Sequence, residues 1–77
     1  MSITVKFFAS LREQLDIDET LIDAQTGLTA LQVWQKVTGQ TALPASILIA
    51  VNQEYAAATA SIKENDEVAF FPPVTGG

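Results

Sequence analysis

The chain contains neither cysteine nor histidine among its 77 residues. Disulfides and thiolate metal sites are therefore excluded, and so are the Ser-His and Cys-His pairs in which histidine activates a nucleophile. Basic residues are also few, since four lysines and arginines stand against nine acidic residues for a net charge of −5. The four cations are scattered singly, whereas nucleic-acid binding needs a basic stripe for the phosphates. The chain is poorly equipped to act as an enzyme on its own, and its acidic surface favours either a basic protein partner or solubility alone.

Long apolar runs are missing as well. No segment approaches the ~20 apolar residues that cross a bilayer. No basic segment followed by an apolar stretch and a cleavage site marks a signal peptide, so we expect a cytoplasmic protein without membrane contact. The apolar fraction of 48% is normal for a folded chain, and 77 residues form one domain near the lower size limit for a single core.

Alternating and uninterrupted apolar patterns predict a sheet of four to five strands. Ile3, Val5 and Phe7 share one face of a predicted strand over 3–9. A strand over 19–24 follows after so short a link that the two should pair antiparallel. The apolar run 47–51 is typical of a strand buried on both faces. Further strands are predicted over 55–58 and 67–71, the last one after a turn in which Asn65 tolerates a positive φ.

Two capping boxes predict two helices. In a capping box, a Ser or Thr side chain and a Glu or Gln side chain three residues later accept hydrogen bonds from each other's backbone N–H. Ser10 and Glu13 predict the start of a short helix with Leu11 and Leu15 facing inwards. A second box predicts the main helix, which begins after Thr29, with Gln32 as the partner of the box, and ends at Gly39 in the left-handed conformation.

The main helix carries an apolar stripe at positions i, i+3, i+4 and i+7, namely Ala30, Val33, Trp34 and Val37. A single amphipathic helix must bury such a stripe against a sheet, which predicts a two-layer α+β domain with Trp34 in its core. The sheet residues expected beneath the stripe are Ile3, Val5, Leu21, Ile49, Val51, Val68 and Phe70.

The chain ends on Gly76-Gly77, directly after the last predicted strand and the pair Pro72-Pro73. Glycine has no Cβ, so this end can lie in a channel too narrow for other residues. The prolines hold φ near about −65° and remove two backbone donors, so the tail should project and not pair as further sheet. We expect the carboxylate of Gly77 to be the reactive or recognised group; the alternative is a frayed end that happens to contain glycine.

Three segments together resemble a known family: Phe-Phe-Ala-Ser-Leu-Arg-Glu at 7–13, Val-Asn-Gln-Glu at 51–54, and Asn-Asp-Glu-Val-Ala-Phe-Phe-Pro-Pro-Val-Thr-Gly-Gly at 65–77. Over its whole length the chain is similar to the small, sulfur-carrying subunit of molybdopterin synthase. That resemblance implies a β-grasp (ubiquitin-like) α+β fold with a mixed sheet of four to five strands on one main helix. It implies one sulfur-carrier domain over 1–77, with a flexible tail over 72–77. Asn65 departs from the family, which commonly carries glycine there; asparagine is the next best residue for a left-handed turn.

The resemblance further implies a role in molybdenum cofactor biosynthesis, with Gly77 as the sulfur-carrying residue. An E1-like adenylyltransferase would use ATP to adenylate the Gly77 carboxylate, and a sulfur donor protein would convert the adenylate into a thiocarboxylate. The tail would then enter the large subunit of molybdopterin synthase, in a heterotetramer of two small and two large subunits, and donate sulfur to the cyclic pterin precursor. Beyond this transient adenylate and sulfur, no permanently bound cofactor or metal is implied.

Two groups of residues are predicted to serve this role. The tail would be positioned by Pro72, Pro73, Thr75 and Gly76. An exposed apolar patch for partners is expected from Phe8, Phe71 and Val74, which lie on faces that the main helix does not cover. The alternative for Phe8 and Phe71 is that loops cover them as a second small core.

Two other functions stay open at this point. Sulfur carriers for thiamine thiazole formation or tRNA thiolation also end in Gly-Gly, although the Phe-Phe-Pro-Pro-Val approach to that end is less typical of them. A passive ubiquitin-like interaction module, whose tail has no chemical role, is the remaining alternative.

Overall fold

A computed structural model of the chain describes residues 2–72. Within them lie five strands and two helices, in the order β1 (Ser2–Phe7), α1 (Ala9–Leu15), β2 (Glu19–Asp23), α2 (Ala30–Thr38), β3 (Leu48–Val51), β4 (Glu54–Ala56) and β5 (Glu67–Phe71). The strands form one sheet in the order β2-β1-β5-β3-β4. The central pair β1 and β5 is parallel and the other neighbours are antiparallel. The predicted mixed sheet, with α2 as the main helix, is therefore confirmed.

The core lies between α2 and one face of the sheet. Trp34 on α2 is 1% exposed, and its ring centroid lies 5.2 Å from that of Phe70 and 6.2 Å from that of Phe7. The rings of Phe7 and Phe70 stack on each other at 5.6 Å on the neighbouring strands β1 and β5. Ala30 and Val33 are fully buried in the same cluster. The predicted stripe and its burial against the sheet are confirmed.

Both predicted ends of α2 are present. The N–H of Thr29 donates to Oε1 of Gln32 (2.9 Å), and the N–H of Gln32 donates to Oγ1 of Thr29 (3.3 Å), which completes the capping box. Gly39 takes the left-handed conformation with φ 74°, and its N–H donates to the carbonyl of Gln35. Glycine enters this region without the Cβ clash that other residues meet.

The predicted start of α1 is wrong. The helix begins at Ala9 and not after Ser10, its N-cap is Phe8, and no side chain caps it. The Phe8 N–H still donates to the carbonyl of Phe70 in the sheet, while the Phe8 carbonyl already accepts from Leu11. Because sheet and helix meet at one residue, Ala9 has to make the turn with a φ of 52°. Leu11 is buried as predicted, and Leu15 packs against the core.

Leu21 was predicted in the core and is 63% exposed. The register pairs Leu21 with Thr4 and Ile22 with Ile3, and paired residues point to the same face of a sheet. Since Ile3 is fully buried, Ile22 faces the core and Leu21 faces away from it. The prediction is wrong because side chains alternate between the two faces of a strand, so a shift of one residue moves Leu21 from the core face to the opposite face.

The predicted double burial of the third strand is also wrong, because α2 covers only one face of the sheet. Ile49 is buried and Val51 on the same face packs against the core, whereas Leu48 and Ala50 lie on the other face and are partly exposed. Strand β4 is shorter than the strand predicted over 55–58, and it starts one residue earlier. A two-residue turn joins these strands, with Asn52 and Gln53 both at positive φ, as a tight hairpin requires.

The turn before β5 has the predicted left-handed residue, Asn65, with φ 68°. The neighbouring carboxylate of Asp66 accepts from Nδ2 of Asn52 (3.0 Å) and from the N–H of Lys63 (2.8 Å). The side chain of Asn52 in turn accepts from the N–H of Glu67 (3.0 Å). These bonds join the β3–β4 turn to the start of β5. They also hold the pKa of Asp66 below its ordinary value of 3.8, with the Asn52 hydrogen bond as the largest cause.

Residues 2–72 include neither a membrane-spanning helix nor a cluster of metal-binding side chains. None of the helices there is long and apolar enough to span a membrane. No group of three or more acidic residues is placed to hold a metal ion.

Candidate functional site on the outer face of the sheet

The face of the sheet opposite α2, here called the outer face, gathers apolar side chains from three strands. The register places Phe71 on β5 opposite Leu48 on β3, and Ala69 opposite Ala50. Ala50 in turn lies opposite Tyr55 on β4. Because alanine side chains are small, Ala69 and Ala50 leave a shallow depression between the larger residues. The outer face therefore has an apolar half formed by β5, β3 and β4.

Two aromatic rings stand out on this half, those of Tyr55 and Phe71, and Phe8, directly after the end of β1, lies beside them. We call Phe8, Tyr55 and Phe71 the aromatic patch. Phe8 is 43% exposed and Tyr55 76% exposed, while Phe71 is half-buried between them. The ring centroid of Phe71 lies 6.4 Å from that of Phe8, edge to face, and 5.9 Å from that of Tyr55. Exposed contiguous aromatic surface of this kind marks interaction sites.

The structure decides whether these rings form a second small core. Phe8 is 43% exposed, so it does not lie in a second small core, and the ring of Phe71 lies beside the other two rings of the aromatic patch. The two phenylalanines thus lie together on the surface, as a contact patch requires. Their binding of a partner stays a prediction.

The aromatic patch adjoins the start of the tail. Phe71 is the last residue of β5, and Pro72 follows it partly exposed. Pro73, Val74, Thr75 and the two final glycines lie outside the described residues. Their predicted roles, and the expected flexible tail over 72–77, therefore stay predictions.

Tyr55 is the patch residue that the sequence analysis missed. The sequence predicts a strand over 55–58 and gives Tyr55 no role in partner binding. The register of the hairpin is the signal that could have identified it. Because Asn52 and Gln53 form a two-residue turn, Val51 pairs with Glu54 and Ala50 pairs with Tyr55. Since Ala50 shares the face of Phe71, Tyr55 does too.

Charged side chains separate the aromatic patch from the β2 side of the outer face. Nζ of Lys6 lies 3.8 Å from Oε1 of Glu19 and 3.4 Å from Oε2 of Glu67. These are solvent-exposed pairs, which contribute little to stability. Lys6 is thus flanked by two carboxylates. The outer face thus offers an apolar surface with an acidic border, which suits the binding of a partner.

The sheet order and the single covering helix α2 define the class of protein as β-grasp (ubiquitin-like). A solved structure with this fold is that of SAMP1 from Haloferax volcanii, with a TM-score of 0.82, 26% sequence identity and complete coverage of both chains. The sequence profile of the ThiS family matches residues 5–77, and the chain belongs to that family.

Curated relatives agree with the resemblance noted from the sequence. A protein of Escherichia coli is 38% identical over 81 residues, and one of Haemophilus influenzae is 34% identical over 80 residues. Each alignment covers 97% of this chain and 99% of the relative. Both relatives are named molybdopterin synthase sulfur carrier subunit.

Proposed function

We propose that the chain is the sulfur carrier of a molybdopterin synthase, with the sulfur held as a thiocarboxylate on Gly77. The observation that carries the proposal is the nearly complete alignment with two relatives of that name. The family match also extends through Gly77 itself. Without cysteine or histidine, no side chain of the 77 residues offers a comparable place for the sulfur.

The chemistry needs activation because a carboxylate is a poor electrophile. Its charge repels nucleophiles, and oxide is a bad leaving group. In the proposed first step, the Gly77 carboxylate attacks the α-phosphorus of ATP on an E1-like adenylyltransferase and pyrophosphate leaves. The terminal sulfur of a donor persulfide then displaces AMP, and a thiol cleaves the resulting acyl disulfide, which leaves the thiocarboxylate on Gly77.

The aromatic patch is the proposed docking surface for the large synthase subunit. Phe8 and Tyr55 are exposed without an intramolecular cover, and Phe71 anchors them at the point where β5 leads into the tail. Docking there would bring Gly77 within a few residues of the contact. The large subunit would then supply the catalytic groups that transfer sulfur to the cyclic pterin precursor.

The tail residues have separate proposed roles. Pro72 and Pro73 keep the tail extended before docking, so less conformational freedom is lost on binding. Gly76 gives clearance in a narrow channel, Thr75 is a small residue beside it, and Val74 adds apolar contact.

An intact-mass measurement tests the carrier chemistry. After incubation with ATP, the activating enzyme and the sulfur donor, we expect a gain equal to the mass difference between sulfur and oxygen. A variant with one alanine added after Gly77 is the control, because its carboxylate no longer lies on the glycine. Absence of the gain in the unextended chain would contradict the proposal, and so would an equal gain in the extended one.

A carrier for thiamine or tRNA thiolation is the second candidate, because the family match by itself does not name the acceptor. Reconstitution of pterin sulfuration separates the two. Thiocarboxylated chain mixed with the large synthase subunit should convert the cyclic pterin precursor. If the loaded chain fails to do so while a thiamine or tRNA system consumes its sulfur, the second candidate is correct.

A further inference from the structure

Strand β2 forms one edge of the sheet, and among residues 2–72 it pairs with β1 alone. The Phe7 N–H donates to the carbonyl of Asp18 just before β2 (3.0 Å), so Phe7 and Asp18 are a hydrogen-bonded pair of the two strands. In an antiparallel pair the bonded residues alternate. Two residues of β2, Thr20 and Ile22, therefore direct their backbone groups to β1.

The other residues of β2, Glu19, Leu21 and Asp23, direct their N–H and C=O groups to the open side. Within residues 2–72 these backbone groups have no hydrogen-bond partner. Their side chains lie on the outer face, where Leu21 is 63% exposed. An open strand edge of this kind is a template for another strand.

A surface groove runs below this edge on the helix side of the sheet. Ile17, Ile22 and Val37 line it and are only partly buried against the core. Lys36 on α2 stands at its side. A strand added to β2 would thus meet Leu21 on one face and this apolar groove on the other, because its side chains alternate between faces.

The charges at this edge disfavour pairing with a second copy of the chain. Antiparallel pairing of two β2 strands about Leu21 would place Glu19 opposite Asp23 of the other copy at both ends, and facing like charges are destabilising. Asp16 and Asp18 add further negative charge beside the groove.

The cations near this edge offset only part of its negative charge. Lys6 lies 3.8 Å from Glu19, Arg12 lies 3.8 Å from Asp18, and Lys36 borders the groove. Asp23 has no ion pair among the described residues. Asp16 beside the groove likewise has no ion pair among the described residues. The edge therefore stays acidic and suits a basic occupant.

We propose that β2 binds an extended basic segment of a partner protein by β-strand addition. The pattern that fits is basic–apolar–apolar–apolar–basic. The central residue lies beside Leu21, its two neighbours point into the groove, and the outer cations face Glu19 and Asp23. Main-chain bonds to the open groups of β2 supply affinity, and the alternating side chains supply selectivity. This site is separate from the aromatic patch and does not depend on the proposed sulfur chemistry.

A titration followed by NMR tests the proposal. The ¹⁵N-labelled chain is mixed with the synthetic peptide acetyl-Lys-Val-Leu-Val-Lys-amide, and with the same peptide carrying glutamate in place of lysine. We expect saturable amide shifts over Glu19–Asp23, slower hydrogen exchange of the Leu21 amide, and no such shifts with the acidic peptide. Shifts confined to the aromatic patch, equal shifts with both peptides, or no shifts at millimolar peptide would overturn the proposal.

A charge reversal sharpens the test. Asp23→Lys should weaken binding of the basic peptide by at least about threefold, the scale of exposed charge pairs, and should improve binding of the acidic peptide. The matched control is Glu54→Lys on the opposite edge strand, which should leave both affinities unchanged. Equal effects of the two variants would mean that only net charge matters. Concentration-dependent shifts of the β2 amides without peptide would point instead to a second copy, and either result would refute the proposal.

Discussion

At the scale of single residues, Trp34 on the main helix makes two kinds of contact, one with the sheet and one with the loop that follows the helix. Its ring is 1% exposed and packs against Phe7 and Phe70. Its Nε1 donates to the carbonyl of Ala42 (3.0 Å) in the chain that leaves α2. A buried indole N–H has to be paired, so this bond also fixes the path of the following loop.

We expect Trp34→Ala to lower the free energy of unfolding by about 3–5 kcal/mol, since it removes a buried ring and leaves a cavity. Small domains have total stabilities of about 5–15 kcal/mol, so much of the variant should be unfolded at moderate urea concentrations. Urea denaturation followed by circular dichroism measures the change. Trp34→Phe keeps a ring but loses the bond to Ala42, and should cost less. A loss below about 1 kcal/mol for the alanine variant would place the ring outside the core.

Asp66 makes stability depend on pH. Its pKa is lowered in the folded chain, chiefly by the hydrogen bond from Asn52 and then by the Lys63 N–H. A lowered folded pKa means that the stabilisation is fully present above the unfolded pKa and is lost as pH falls through the folded pKa. The loss should therefore occur on the acid side of about pH 4.

The variant Asp66→Asn should flatten this part of the stability profile, because the amide cannot titrate. We expect the melting temperature of the unsubstituted chain to fall more than that of the variant between about pH 5 and about pH 2. Asp23→Asn, at an exposed position, serves as the control and should keep the original slope. Parallel profiles for Asp66→Asn and the original chain would show that the Asn52 contact has no energetic weight.

At the scale of elements, β5 connects the core to the proposed docking surface. Its residues alternate, so that Val68 and Phe70 lie in the core while Phe71 lies on the outer face. The same strand then continues into the tail. A partner that binds the aromatic patch would therefore hold the strand that leads into the tail, on which Gly77 is the proposed sulfur carrier.

The substitution Phe71→Asp should weaken binding to the large synthase subunit at least about tenfold, the loss typical of a central aromatic contact. The side chain is half-buried on the outer face, so the fold should tolerate the change. Isothermal titration calorimetry measures the affinity, and Thr59→Asp in an exposed turn controls for the added charge. An affinity equal to that of the control would remove Phe71 from the interface.

In the tail, Gly76→Val should abolish sulfur transfer by steric conflict in a narrow channel. The melting temperature should not change, since we expect the tail to lie outside the core. Differential scanning fluorimetry and the reconstituted sulfuration assay report the two properties separately. Joint loss of stability and activity would instead give the tail a structural role.

At the scale of the whole molecule, the net charge of −5 should direct the chain towards basic partners. We expect the rate of association with the large subunit to fall as salt rises from about 0.01 M to about 0.5 M, because the screening length shrinks. The dissociation rate should change little, since it depends on the apolar contact. Stopped-flow measurements of both rates check this, and an association rate independent of salt would exclude electrostatic steering.

Much of the fold was open to prediction because its signals are local. The capping box of Thr29 and Gln32, and the left-handed turn at Gly39, each depend on residues within one helical turn. The alternation of Ile3, Val5 and Phe7 likewise reports a buried face without any knowledge of the partner strand. The prediction that Gly77 carries the chemistry is also local. It depends on the two final glycines and on the lack of cysteine and histidine, which can be read from the sequence without any tertiary contact.

Tertiary structure alone decided which face each strand presents and where elements meet. Leu21 lies outside the core because β2 pairs with β1 in a register that its own residues do not specify. The turn at Ala9 depends on Phe8 bonding to Phe70, more than sixty residues away. Tyr55 joined the aromatic patch only once three strands were aligned. Periodicity is a property of one segment, whereas register and the contacts between elements arise only when distant segments pair. The aromatic patch depends on such pairing, so the sequence alone does not determine it.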